Sequence, residues 1–491
     1  MRLSQLLQHL YGRAHLSDMN FCDAEVFGIE MDSRQVRPGD IFIAISGYAS
    51  DGHSFIDDAV NRGAVAVIGE KELQTAVPYF QVIDSRKALG KLSSFFYGMP
   101  AHKHKIIGIT GTNGKTTVAY MLRHILETAG RTCSMLGTVS YIINNEKYKP
   151  TNTTPDSLQL QRLLSLSNDE FVVLEISSHA LSQHRVEGLE IDYGVFTNLG
   201  HDHLDYHHSM NDYFLSKCSM FSHLKESGKA VINRLNEWGD KLAGLLKTDD
   251  IPVITLGNSH NDYLRIENIR LNGRTRFTLD YQGRKYEVSL QYPGLHNVHN
   301  AAIAFLAASD IGIDPETSFA ALESFKGVPG RFEVIEHPEG AKFIIDYAHT
   351  DDAIEYCLQA ARQQGATKIT HIYGFRGARD RTKRESMIAA SVKLSDRFIM
   401  TFDDLNGEEE HKMEQELIHL NMLYGNGKGE VLPDRTLAIQ KAWSTAKKGE
   451  WVFITGKGPE EYERPFTLPV KSDKDACEYL LDGFKEKAGI C

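Results

Sequence analysis

Long apolar runs are missing from this chain. Nowhere do about 18 hydrophobic residues follow one another, so no membrane-spanning helix is expected. The first ten residues, Met1-Arg2-Leu3-Ser4-Gln5-Leu6-Leu7-Gln8-His9-Leu10, lack the apolar stretch and small-residue cleavage site of a secretory leader and read as an amphipathic helix. Cysteine is sparse: Cys22, Cys133, Cys218, Cys357, Cys477 and Cys491 are scattered without a C-x-x-C pair. That spacing argues against a disulfide framework and against a structural zinc site. Positive charge is also short, with 54 Lys and Arg against 65 Asp and Glu and a net charge of −11, which excludes a general nucleic-acid coat but leaves room for a local basic pocket. Internal repeats and low-complexity tracts are absent. A cytoplasmic, globular monomer with small-molecule substrates, no nucleic-acid partner and no membrane span is the expectation.

What is present is ordinary folded protein, 42% apolar and 24% charged. Its 491 residues suggest about three domains. Short β-rich runs recur, each followed by a helical pattern: Lys105–Thr110, Phe171–Ile176, Lys342–Asp346, Lys368–Tyr373, Arg397–Thr401 and Trp451–Thr455. Nearly continuous apolar runs of this length suit strands buried on both faces of a parallel sheet, and the class is α/β. A polar, proline-marked stretch at Pro100–Lys105 and a Gly/Pro cluster at Gly327–Arg331 set domains of 1–101, 102–330 and 331–491.

The segment Gly108-Ile109-Thr110-Gly111-Thr112-Asn113-Gly114-Lys115-Thr116-Thr117 joins a buried strand to a helical pattern at Val118–Leu126. Glycines let several N–H groups turn toward one anion, and the following helix adds its positive end. Lys115 supplies a point charge for the β- and γ-phosphates, and the Thr116 hydroxyl can reach a magnesium ion. Ile109 stands where the strict phosphate-loop pattern has its first glycine. ATP is the ligand this segment predicts.

Glu175 ends a buried strand, where ligands gather in open α/β sheets. Further on, His201-Asp202-His203-Leu204-Asp205-Tyr206-His207-His208 packs four histidines and two aspartates into eight residues. It could be a polar surface loop, a zinc site lacking the H-E-x-x-H signature, or one ligand toward magnesium beside Glu175 and nucleotide phosphate. Lys217 reads by default as a solvated helix lysine.

Taken together, these residues resemble the Mur ligase family over nearly the whole chain. Asp32-Ser33-Arg34, Pro38–Phe42 and Asp51–Ile56 are similar to the family's uridine-nucleotide domain, and Thr110–Thr117 to its form of the phosphate loop. Asn152-Thr153-Thr154-Pro155-Asp156 and Glu175–Arg185 are the most specific segments. The resemblance implies three domains, with a central parallel-sheet phosphate-loop ATPase domain and a C-terminal Rossmann-like domain. It implies that Ser33, Asn152, Thr153, Thr154, Ser177, Gln183 and Arg185 hold UDP-N-acetylmuramoyl-L-alanyl-D-glutamate. Gly111, Thr112, Asn113, Gly114, Lys115, Thr116 and Thr117 would bind ATP, with Asn297 at adenine, Arg331 at phosphate, Asp346 at ribose and His349 at the reaction centre. Magnesium would fall to Thr116, Glu175, His203 and Lys217, the last matching a family lysine that takes up CO2 as a carbamate. The implied reaction makes an acyl phosphate on the D-glutamate γ-carboxylate, which an amino acid's amine then attacks.

The amino-acid end departs from the pattern. Enzymes of this family that use meso-diaminopimelate carry Asp-Asn-Pro-Arg, whereas this chain has Asp403-Asp404-Leu405-Asn406 followed by three glutamates at 408–410. Asn406 offers no cationic fork. The local acidity predicts a cationic amino acid such as lysine or ornithine. Arg379, Gly456 and Glu460 keep family positions, with Arg379 suited to an α-carboxylate, while Pro459 and Asp351 replace a usual histidine and proline. A specialised paralogue using another amine and a non-catalytic nucleotide-peptide binder are the alternatives. A folylpolyglutamate-synthase-like ligase is disfavoured by Asn152–Thr154 and Gln183–Arg185.

Overall fold

Apolar residues that alternate along short runs separate onto two faces, and that separation builds the first sheet. Ile41 and Ile43 join Leu3, Leu6, Leu7, Leu89 and Leu92 in one buried cluster, while Phe42 and Ala44 join Ile56, Ala59 and Val67 in another. Strands covered on both faces suit a parallel sheet. Accordingly β1 (Gly28–Glu30), β2 (Asp40–Ile43), β3 (Ala66–Gly69) and β4 (Tyr79–Gln81) lie side by side in that order, every pair parallel. The expected N-terminal helix spans Leu3–Tyr11, and Leu3, Leu6 and Leu7 form its fully buried stripe.

The structure, a computed structural model, describes residues 1–12, 21–47 and 50–488; Cys491 lies outside them. The chain divides into two units. The first comprises Met1–Thr110, Arg131–Val195 and Ser216–Ala230, and the second Gly111–Gly130, Phe196–Leu215 and Val231–Cys491.

Besides the four-stranded sheet, the first unit holds β5 (Lys105–Thr110), β6 (Cys133–Leu136), β7 (Tyr141–Ile143), β8 (Glu146–Tyr148), β9 (Phe171–Glu175) and β10 (Ile191–Phe196), and β11 (Leu224–Asn233) begins there. Their order is β11-β10-β5-β9-β6-β7-β8. β9 runs parallel to β5 and β6, as expected of a central parallel sheet, while β6, β7 and β8 are antiparallel and make its edge mixed. The physical reason is the Asn144-Asn145 turn, whose φ values of 50° and 65° close a two-residue hairpin with no room for a crossover helix.

In the second unit β11 ends and is followed by β12 (Val253–Leu256), β13 (Leu264–Arg270), β14 (Thr275–Tyr281) and β15 (Arg284–Leu290), the last three an antiparallel meander. A second sheet has the order β16-β17-β21-β18-β19-β20, from β16 (Glu333–Glu336), β17 (Lys342–Asp346), β18 (Lys368–Phe375), β19 (Arg397–Phe402), β20 (Gly429–Val431) and β21 (Glu450–Thr455). All pairs are parallel except β16–β17. Trp451 and Phe453 face one core, Val452 and Ile454 the other, again with period two.

Candidate active site

The phosphate loop of the second unit is shaped by hydrogen bonds to the segment after β10. Asn113 N donates to Asn198 Oδ1 at 2.9 Å, Thr112 N to Asn198 O at 2.9 Å, and Thr197 Oγ1 to Asn113 O at 2.7 Å. Gly111 sits at φ 147° and Gly114 at φ 87°; a Cβ on Gly111 would overlap Thr197 Oγ1 and one on Gly114 would overlap Asn300 Oδ1. The helix Lys115–Thr128 starts directly after Gly114. Lys115 Nζ donates to the loop carbonyls of Gly111 at 2.8 Å and Thr112 at 3.0 Å, which holds the ammonium against the loop.

A cavity of about 340 Å³ opens beside this loop. Its walls bring together Asn113, Gly114, Thr117, Asn297, Arg331, Asp346 and His349 from the expected set. Its size is that of a small-molecule pocket. Asn297 lies inside the helix Leu295–Ile311, one of the elements that form the wall, and its Nδ2 donates to Pro293 O at 2.7 Å. Arg331 Nη2 donates to Thr116 Oγ1 at 3.3 Å, and its guanidinium lies 4.4 Å over the Tyr347 ring. Asp346, at the end of β17, accepts from Phe332 N at 2.6 Å and Ala348 N at 2.7 Å; burial raises its carboxyl above the ordinary value against the pull of Arg331. The sequence reading missed Tyr292, His296, His299 and Tyr356, which also line the cavity. Burial lowers both histidines to about 4, so each is a neutral ring near neutral pH. The available signal was the spacing of His296 and His299, three residues apart on the helix that also carries Asn297.

The histidine-rich run resolves into separate roles. His207 is buried and stacked on Tyr213, with ring centres 5.0 Å apart. His203, in the left-handed region at φ 55°, is partly exposed and places Nε2 3.3 Å from Asp202 Oδ2. Among the described residues no three His, Cys, Asp or Glu side chains gather as a metal centre. Asp202 itself is buried and meets side chains from two further segments, Lys383 and His349. Burial works to raise its carboxyl, but His349, His203 and Lys383 prevail and hold it well below the usual carboxylate range.

In the first unit a second polar cluster forms. Glu175 is fully buried, and its two carboxylate oxygens accept from Thr138 N and Thr138 Oγ1, each at 3.0 Å. Thr138, absent from the sequence expectations, also meets Thr153 Oγ1 at 3.1 Å. Thr154 Oγ1 donates to Glu175 O at 2.8 Å and accepts from Ser177 N at 3.0 Å. Arg185 binds Gln183 Oε1 through Nε at 3.1 Å and Nη2 at 2.8 Å, and Thr154 O through Nη1 at 3.0 Å. Thr153, Thr154, Glu175, Ser177, Gln183 and Arg185 are therefore one connected set. Asn152 is exposed next to it, and Ser33 is buried in the turn after β1. Lys217 lies in the last turn of the helix Met210–Cys218 and is 1% exposed, which overturns its reading as a solvated lysine.

The amino-acid end corrects the charge argument. Lys457 is buried and donates to both carboxylate oxygens of Asp404 at 2.7 Å. Asp403 lies 3.7 Å from both Arg376 and Lys457; burial opposes ionisation there, yet these cations keep the carboxyl below its ordinary value. Arg376 pairs with Glu460, which also accepts from Tyr347 OH at 2.9 Å, and Arg381 pairs with Glu408. The acids expected to attract a cationic substrate are matched by the protein's own cations. Gly456 stands at φ 108° with Asp403 Oδ2 where a Cβ would point. Arg379 is exposed, and Asn406 is exposed at φ 49° with Nδ2 donating to Gly377 O at 2.9 Å.

These features, a phosphate loop with a cavity in a doubly covered α/β frame, define a nucleotide-dependent enzyme. Residues 25–97 match the Mur ligase family catalytic domain, 109–308 the Mur ligase middle domain and 330–458 the Mur ligase glutamate ligase domain. Curated relatives named UDP-N-acetylmuramoyl-L-alanyl-D-glutamate–2,6-diaminopimelate ligase are 37% identical in Geobacillus thermodenitrificans, over 89% of this chain and 91% of that one, and 39% identical in Clostridium botulinum, over 89% and 91%. A solved structure of a ligase with the same name superposes with TM-score 0.69 at 27% identity, covering 97% of this chain and 98% of that one. MurF ligase from Thermotoga maritima in complex with ADP shares the fold, with TM-score 0.65 at 22% identity over 93% and 97%. The chain belongs to the Mur ligase family. It is an ATP-dependent acid–amino-acid ligase.

Proposed function

We propose that this ligase adds the third residue to UDP-N-acetylmuramoyl-L-alanyl-D-glutamate in the cytoplasm, for peptidoglycan precursor synthesis. The carrying observation is the cavity that joins the phosphate loop to Asn297, Arg331, Asp346 and His349. The relatives' names supply the same nucleotide-peptide. Thr153, Thr154, Ser177, Gln183 and Arg185 form the connected polar set available to that substrate, with Arg185 already oriented by Gln183 to fork onto an anion. The γ-carboxylate of its D-glutamate attacks the γ-phosphorus of ATP, ADP leaves, the amine attacks the acyl carbon, and phosphate leaves. Lys115 and Arg331 bind and orient the phosphates, and His349 stands at the reaction centre.

Magnesium is the ion the resemblance implies. Within the second unit the Thr116 hydroxyl and the His203 ring, with phosphate oxygens, would hold an ion that needs few protein ligands, and within the first unit the buried Glu175 carboxylate and Lys217 as a carbamate are the donors on offer. Bound there, the ion would neutralise charge on the transferring phosphoryl group.

For the amine, Asn406 supports an amino acid without a distal carboxylate, L-lysine or similar, since no cation stands at that position to pair one. The relatives' names favour 2,6-diaminopimelate as a second reading. Protein, ATP, magnesium and the nucleotide-peptide would be mixed with lysine, ornithine, meso- or LL-diaminopimelate or other diamines in parallel, with phosphate release and product mass read together. A lysine tripeptide supports the first reading. A diaminopimelate product at low substrate concentration replaces it with the second, and silence across the panel with nucleotide-peptide binding intact removes the ligase reading for these amines.

A further inference from the structure

The His-rich run after β10 contributes a buried acid that the proposed chemistry leaves unused. Asp202, with a side chain 4% exposed, faces Lys383, His203 and His349. Its Oδ1 accepts from Lys383 Nζ at 3.1 Å and from His203 N at 3.0 Å, and its Oδ2 lies 3.3 Å from His203 Nε2 and 3.6 Å from His349 Nε2. His349 is fixed from the other side by Tyr347 O, 2.8 Å from Nδ1, and its ring meets Tyr347 edge-on at 4.9 Å. Both imidazole nitrogens therefore face oxygen, which sets the plane of the ring. Tyr347 in turn lies under Arg331. A buried carboxylate costs several kcal/mol of desolvation unless cations surround it, so this arrangement requires all of its partners.

We propose that Asp202 is a positioning residue for phosphoryl transfer, holding His349 and Lys383 in one fixed arrangement beside the phosphate loop. Without it Lys383 Nζ loses its acceptor and His349 Nε2 loses the oxygen it faces, so neither side chain is held in that place. The inference rests on the ligase reading above, and its test is scored only against turnover measured for the unaltered enzyme; an inactive parent protein would count against the ligase reading instead.

Asp202→Asn keeps shape and removes charge. The expected result is a kcat reduced at least 30-fold with KM for ATP within threefold and an unfolding midpoint close to the parent's. Lys383→Met should lower kcat in the same way, and the double variant should lose little more than either single one, since both remove the same arrangement. Asp202→Glu should recover part of the loss. If Asp202→Asn folds with kcat within threefold of the parent, the proposal is overturned. Multiplying losses in the double variant overturn it too, as does a lowered unfolding midpoint with kcat preserved. Should Asp202→Asn fail to fold, Lys383→Met decides alone: kcat lost at constant KM supports the proposal, and kcat preserved overturns it.

Discussion

The two ends of the second unit use charge in opposite ways. Around the phosphate loop, backbone conformation does the shaping: Gly111 and Gly114 occupy φ values open to glycine, and Lys115 rests on loop carbonyls. Held there beside the cavity, its ammonium suits an incoming anion. Around β18, β19 and β21, acids and bases cancel inside the protein, Asp404 with Lys457 and Glu460 with Arg376. A cation set on a phosphate loop can be read as a recognition site; an acid matched by the protein's own cation is architecture, however acidic the local sequence looks.

Removing charge should therefore hurt most at Lys217 of the first unit and at the phosphate loop of the second. Lys217→Ala is expected to abolish turnover, by about 1,000-fold or more if a carbamate there helps hold a metal ion. Bicarbonate with a short-chain acid should restore part of it, and full activity in the unrescued variant would remove the carbamate. Lys115→Met should cost about 100-fold or more in kcat/KM, as expected for a lost phosphate-stabilising cation. An effect below tenfold would mean that Lys115 does not face phosphate. Gly111→Ala tests the backbone half of the contrast: the residue must leave φ 147° or displace Thr197, costing about 2 kcal/mol of stability along with ATP affinity. Unchanged nucleotide affinity would break the link between loop shape and binding.

At the amine end the informative change adds charge. Asn406→Arg should raise the use of meso-diaminopimelate relative to lysine by about tenfold or more, the worth of a charge-assisted hydrogen bond. Arginine at φ 49° carries about 1 kcal/mol of backbone strain, so a small loss of stability should accompany the gain. An unaltered preference would place the specificity element elsewhere.

That contrast also explains what the sequence conveyed. Strands such as Lys105–Thr110 and Lys342–Asp346 were legible because both faces are buried and the runs are uninterrupted. The β6–β7–β8 and β13–β14–β15 hairpins were not, since β6–β8 are only three or four residues long and β13–β15, at seven, are broken by polar residues. Motif segments gave Lys115, Asn297, Arg331, Asp346 and His349, which the fold gathers at one cavity or its loop. Thr138 went unseen because its link to Glu175 spans 37 residues without a pattern. Lys457 went unseen as the counter-ion of Asp404, 53 residues away, and with it the neutrality of the whole end.

The smallest effect sharpens the comparison on stability. His371 is fully buried between Ser391 Oγ at 2.9 Å and Thr455 Oγ1 at 2.8 Å, and burial, helped by Arg435, lowers it to about 3. The native ring refuses a proton that the unfolded chain accepts below about pH 6.5. Stability contributed by this group is thus intact above pH 6.5 and is lost as pH falls toward 3, by about 2 kcal/mol at pH 5. His296 and His299, lowered to about 4, act with the same sign at the nucleotide end. His371→Asn should be less stable than the parent at pH 7 through lost packing, yet its stability should fall less steeply between pH 6.5 and 5, by about 1.4 kcal/mol per pH unit. Urea unfolding at three pH values measures both slopes. Parallel slopes would mean that His371 takes up its proton in the folded protein as readily as in the unfolded chain, and that the amine end tolerates a positive charge its own acids do not cancel.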